Sequence, residues 1–83
     1  MDGQELTRRM REALESVIGI FNIEITDQTA FEQQLGMDCL DMIEYEMTLE
    51  EEFGIDMSDN DCEMTTFGEL KAFVGRKLKE AGR

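Results

Sequence analysis

The sequence predicts an all-α fold, a small bundle of three main helices plus one short helix. Three observations carry that expectation. The chain has no proline in 83 residues and is rich in Leu, Met, Glu and Ala, a composition that favours helix. Apolar residues recur at steps of three and four through three long segments. Hydrophobic residues make up 41% of the chain, which supports a folded domain over residues 1–83 rather than a disordered tail. A domain of this size buries roughly 60–65% of its unfolded surface, so its core must be compact.

The first segment carries Leu6, Met10, Ala13, Leu14, Val17, Ile18 and Phe21, one apolar stripe on a helix, with Gly19 and Asn22 weakening its end. Ile23 and Ile25 alternate with Glu24 in a strand-like way, but no second strand candidate exists to pair with them, so this stretch reads as extended loop. Thr26 to Thr29 is turn-like. Phe31 and Leu35, four apart, fit one helical turn that plugs the core, and Gly36 ends it.

The second long helix begins near Asp38, whose carboxylate suits the free amides of a first turn; Asp41, three residues on, resembles the far side of a capping box. Its apolar set is Leu40, Met42, Ile43, Met47, Leu49 and Phe53, with Tyr45 at the margin, and Gly54 supplies a left-handed stop. Ser58 with Asp61 starts a short helix. Thr66 with Glu69 is a capping box that opens a last helix, with Phe67, Leu70, Phe73, Val74 and Leu78 inside and Lys77 and Lys79 complementing the dipole at its end.

The charge of −12 is unevenly spread. All eight basic residues lie near the two ends, and no positive side chain occurs from Glu12 to Leu70. Such a stretch repels nucleic acid and anionic membrane and attracts basic protein surfaces, although simple solubility would also account for it. The longest apolar run is too short to span a bilayer, and no charged-then-apolar signal peptide is visible. Two cysteines and no histidine do not make a zinc site or a disulfide framework. A soluble, cytoplasmic monomer is the expectation.

The stretch Phe31-x-x-x-Leu35-Gly36-Met37-Asp38-Cys39-Leu40-Asp41 resembles the signature of the acyl carrier proteins, in which Asp-Ser-Leu opens a helix after a leucine and a glycine. The likeness continues through Glu44, Met47, Leu49-Glu50-Glu51-Glu52-Phe53 and Ile55, and returns at Asp59, Asp61 and Thr65-Thr66. The resemblance implies a non-catalytic carrier. In that family a phosphopantetheinyl transferase attaches 4'-phosphopantetheine to the serine of the motif. The arm presents acyl chains as thioesters to acyl synthases and acyltransferases of fatty acid, polyketide or related lipid synthesis, and the helices can shelter the chain. The resemblance assigns the attachment position to Cys39 and partner binding to Asp38, Leu40, Asp41, Glu44, Met47, Glu50 and Glu51, with carboxylates steering basic partners. Met37, Met42, Met47, Met57 and Met64 suit a pliable interior, though ordinary core packing explains any one of them.

Cys39 is the main departure, since sulfur is a poorer nucleophile toward phosphorus than toward carbon or disulfides. Four readings stay open: a substitution that blocks or traps modification, a sulfur that still accepts the arm, a thiol that carries an acyl group or disulfide directly, and a carrier relative that has lost its cargo. Cys62 reads as a buried cysteine of the short helix. Tyr45 and Glu46 replace the usual apolar pair and place Glu46 near the core, which points to a specialised carrier. Two alternatives compete. One is a carrier-derived interaction module without cargo. The other is an acidic divalent-cation sensor, which the loops starting at Asp56 and Asp59 oppose because they lack the glycine and glutamate of a calcium loop. An enzyme is not expected, because no base pairs with Cys39.

Overall fold

The computed structural model describes residues 2–57 and 66–82. Its helices are α1 (Gly3–Ile18), α2 (Phe31–Leu35), α3 (Cys39–Phe53) and α4 (Phe67–Glu80). Among these residues there is no strand; an isolated antiparallel bridge joins Ala30 to Thr66. The bundle is all-α, as the periodicity predicts. The short helix expected at Ser58, with Cys62 and Met64, lies outside the described residues.

Each helix starts and stops where local chemistry requires. Asp2 accepts from the Glu5 amide at 2.7 Å and caps α1. Gly19, Gly36 and Gly54 end α1, α2 and α3 in the left-handed region, where a β-carbon would be strained. The expected stripe on α1 ran on to Phe21, but the helix ends at Ile18, and Phe21 is 65% exposed. Residues 20–26 form neither helix nor strand, so Ile23 and Ile25 do lie in an irregular loop.

The start of α4 shows how that loop is held. A helix leaves its first amides without internal partners. Here the Phe67 amide donates to the Thr29 carbonyl at 2.9 Å and the Gly68 amide to the Asp27 carbonyl at 2.8 Å. Thr66 Oγ1 accepts from the Glu69 amide at 3.2 Å. Lys71 pairs with Asp27, and buried Thr29 accepts from the Thr26 amide at 2.8 Å. The loop carbonyls thus complete the helix cap, and the cap fixes the loop.

The core runs through all four helices: Met10 and Leu14 from α1, Phe31 from α2, Met42, Tyr45, Leu49 and Phe53 from α3, and the five predicted residues of α4. Helices α1 and α3 run antiparallel. Arg9 meets Glu52, whereas Met10 meets Tyr45, seven residues earlier in α3. The Tyr45 hydroxyl donates to the Met10 carbonyl, and its ring meets Phe31 edge-on at 5.9 Å.

Helix α3 is rotated relative to the expected face. Tyr45, placed at the margin by pattern, is fully buried. Leu40, Ile43 and Met47, counted with the interior, are exposed. The buried set Met42, Tyr45, Leu49 and Phe53 follows steps of three, four and four, a better helical stripe than one including the excluded residues. Glu46 is half-buried at its edge.

Candidate functional site

The site begins with two carboxylates that shape a helix end. Asp38 Oδ1 accepts from the Asp41 amide at 2.9 Å, and Asp41 Oδ2 accepts from the Asp38 amide at 3.2 Å. This reciprocal pair is the predicted capping box, closed with two aspartates. It fixes where α3 starts and therefore where residue 39 stands. Cys39 is the first residue of the helix, exposed and free. Upstream, the Gly36 and Met37 amides both donate to α2 carbonyls, and buried Met37 anchors the approach from below.

From that start, α3 presents an outward face. Leu40 is 75% exposed and Met47 62%, with Ile43 between them and Glu44 and Glu51 beside them. Residues 40, 44, 47 and 51 follow helical steps of four, three and four, so they form one line opposite the core stripe. The face therefore has an apolar ridge edged with carboxylates. Sequence reasoning missed Ile43 as an outward residue; its spacing of three from Leu40 and four from Met47 was the available signal.

The assigned partner-binding residues divide into two groups. Leu40, Glu44, Met47 and Glu51 lie on the outward face. Asp38, Asp41 and Glu50 have structural work. Asp38 and Asp41 cap the helix, and Glu50 Oε2 accepts from the Met57 amide at 3.1 Å, holding the chain after Gly54.

Charge is distributed by helix. Along α3 there are six carboxylates and no cation, whereas α4 carries four cations and two carboxylates. The run Glu50-Glu51-Glu52 sits at the negative end of the α3 dipole, where anions are unfavourable and the last turn contains no basic residue. Arg9 offsets part of this cost. Its Nε and Nη2 donate to Glu52 Oε1 at 3.0 and 2.8 Å, and Nη2 also donates to the Glu52 carbonyl. The guanidinium lies 4.7 Å above the Phe53 ring centre.

Beside Cys39 a cleft of about 420 Å³ opens between α2 and the start of α3, its lining including Gln33, Gln34, Met37 and Met42 with the carboxylates Glu32 and Asp38. Its lining mixes side-chain amides, carboxylates and thioethers, which suits a flexible polar chain. Among the described residues no group of three or more Cys, Asp or Glu forms a metal cluster, and no helix is long and apolar enough to cross a membrane.

A family model described as a phosphopantetheine attachment site matches residues 8–74, most of the 83-residue chain. Domains of that family are defined by the 4'-phosphopantetheine group and are non-catalytic. The surroundings of position 39 fit such a group: an exposed first helical residue, a rigid cap and an adjoining cleft. The atom at position 39 does not fit. A phosphodiester to the arm needs a hydroxyl oxygen, and Cys39 offers sulfur.

Proposed function

Because the chain belongs to the phosphopantetheine attachment family, we propose that it is an acyl carrier of fatty acid, polyketide or related lipid synthesis whose loading Cys39 opposes. It would dock on basic enzyme surfaces through α3, with position 39 as its attachment position. The observation that carries this reading is the start of α3. There a two-aspartate capping box holds residue 39 exposed, one residue before an outward leucine. Glu44 and Glu51, exposed beside Leu40 and Met47, support it as well, because they offer carboxylates to a basic surface. The partners expected from this chemistry are a phosphopantetheinyl transferase, acyl synthases and acyltransferases, all with basic docking surfaces.

Cys39 favours a second reading for the chain as it stands, a carrier-derived interaction module that keeps the docking face and holds no cargo. Intact-mass measurement after incubation with a phosphopantetheinyl transferase and coenzyme A separates the two. Little or no arm is expected on the present sequence, and Cys39→Ser is expected to take it up. Modification of Cys39 itself would remove the module reading. If neither protein gains the arm, the carrier reading falls.

A further inference from the structure

We propose that Ile20 and Phe21 form a second anchor for the basic protein partner that docks on α3, so that the interface spans the turn after α1 as well as the α3 face. This rests on the docking role given to α3 above. Single exposed apolar side chains are ordinary, but this pair is consecutive, with Ile20 and Phe21 51% and 65% exposed. It is also built into a defined turn. Gly19 closes α1 in the left-handed region, its amide donating to the Glu15 carbonyl at 2.8 Å. Asn22 has φ 62°, uncommon for a residue other than glycine, and its amide donates to Glu15 Oε2 at 2.7 Å. A helix cap, a left-handed asparagine and a side-chain hydrogen bond therefore bracket two apolar residues that the core does not use.

The turn lies at the end of the molecule where α3 begins. From the Met10–Tyr45 contact, α1 climbs eight residues to Ile18, about 12 Å, and α3 reaches back five residues to Leu40, about 7.5 Å, in the same direction. Ile20 and Phe21 thus stand at the level of the attachment position or just beyond it. The charge around them selects the partner. Arg11 shares a shallow hollow with Glu15, Asn22, Ile23 and Glu24, and between Arg11 and Lys71 the sequence carries no cation. A second copy of a chain with net charge −12 is repelled. A basic surface with an apolar pocket is complementary, and an aromatic residue at such a position is the type that dominates binding energy.

The test is a titration of the isotopically labelled full chain with a phosphopantetheinyl transferase, followed by amide resonances. Shifts are expected at Ile20, Phe21 and Asn22 together with Leu40, Glu44 and Met47. Phe21→Ser should weaken binding about tenfold, Phe21→Leu should retain most of it, and thermal unfolding should be unchanged in both. If the α3 amides shift while the turn stays silent and Phe21→Ser binds normally, this inference fails and the α3 docking role survives. If the α3 amides are also silent, both fail. A concentration-dependent dimer that Phe21→Ser dissociates would assign the turn to a second copy and overturn the proposal.

Discussion

The Tyr45 hydroxyl donates to the backbone carbonyl of Met10 at 2.8 Å inside the core, tying α3 to α1 with a polar bond. A phenol buried there must find an acceptor, or its desolvation would oppose folding. Tyr45→Phe keeps the ring and its edge-on contact with Phe31 and loses the bond. We expect a loss of about 1 kcal/mol, measured by urea unfolding with an unchanged slope.

The same burial sets an alkaline limit. It pushes the Tyr45 phenol far above its ordinary value, near 10. Below about pH 10 both folded and unfolded chains keep the proton, and this group adds no pH dependence. Above it the unfolded chain releases the proton while the folded one holds it, so stability should fall by up to about 1.4 kcal/mol per pH unit. Tyr45 is the chain's one tyrosine, so phenolate absorbance reports it alone. The absorbance should rise only with unfolding, and Tyr45→Phe should remove this part of the alkaline transition.

Arg9 joins the charged end of α3 to α1 through two donors on one carboxylate oxygen and a face-on contact with Phe53. A lysine keeps the charge and loses the planar fork. We expect Arg9→Ala to cost about 1–2 kcal/mol and Arg9→Lys roughly half of that, both shrinking in high salt because Glu52 is partly exposed. Thermal unfolding at two ionic strengths checks this.

At Gly68 a β-carbon would lie 2.7 Å from the Asp27 carbonyl oxygen. Helix propensity favours Gly68→Ala by about 1 kcal/mol. The clash is with backbone that also caps the helix, and it should outweigh that gain. The net expectation is a loss of roughly 1–3 kcal/mol, with faster amide exchange at Phe67 and Gly68. A stabilised alanine variant would show that the loop yields freely.

On α3 the carboxylates should separate by role. Charge reversal at Glu44 and Glu51 is expected to slow association with a basic partner, with little change in stability and a weaker salt dependence. Glu50→Ala is expected to act mainly through the fold, because Glu50 holds the Met57 amide and alanine has no acceptor to replace it. Association rates and unfolding midpoints for the same variants distinguish the two.

Most of the architecture was legible because it rests on local signals. The left-handed glycines at 19, 36 and 54, the paired aspartates at 38 and 41 and the stripe on α4 each act within a few residues. The rotation of α3 was harder to read because that helix is amphipathic in an unusual way. Its outward face carries Leu40, Ile43 and Met47, so apolar character alone does not mark the interior. The decisive residue was Tyr45, whose burial depends on an acceptor 35 positions away in α1. The end of α1 was overextended because Phe21 fits the stripe in sequence, whereas the Gly19 cap stops the helix first. The dual use of Asp38, Asp41 and Glu50 likewise depends on backbone amides that a residue pattern does not show.

The uneven placement of carboxylates and cations makes α3 uniformly negative while α4 carries four cations. In the field of a basic enzyme such a body feels a torque as well as an attraction. It can turn α3 and position 39 toward the partner during approach, before any side chains touch. Rotational search, often the slow part of forming a specific contact, is thereby shortened. That benefit depends on no atom of residue 39, so an unloaded chain would reach the same enzyme surfaces as quickly as a loaded one and occupy them.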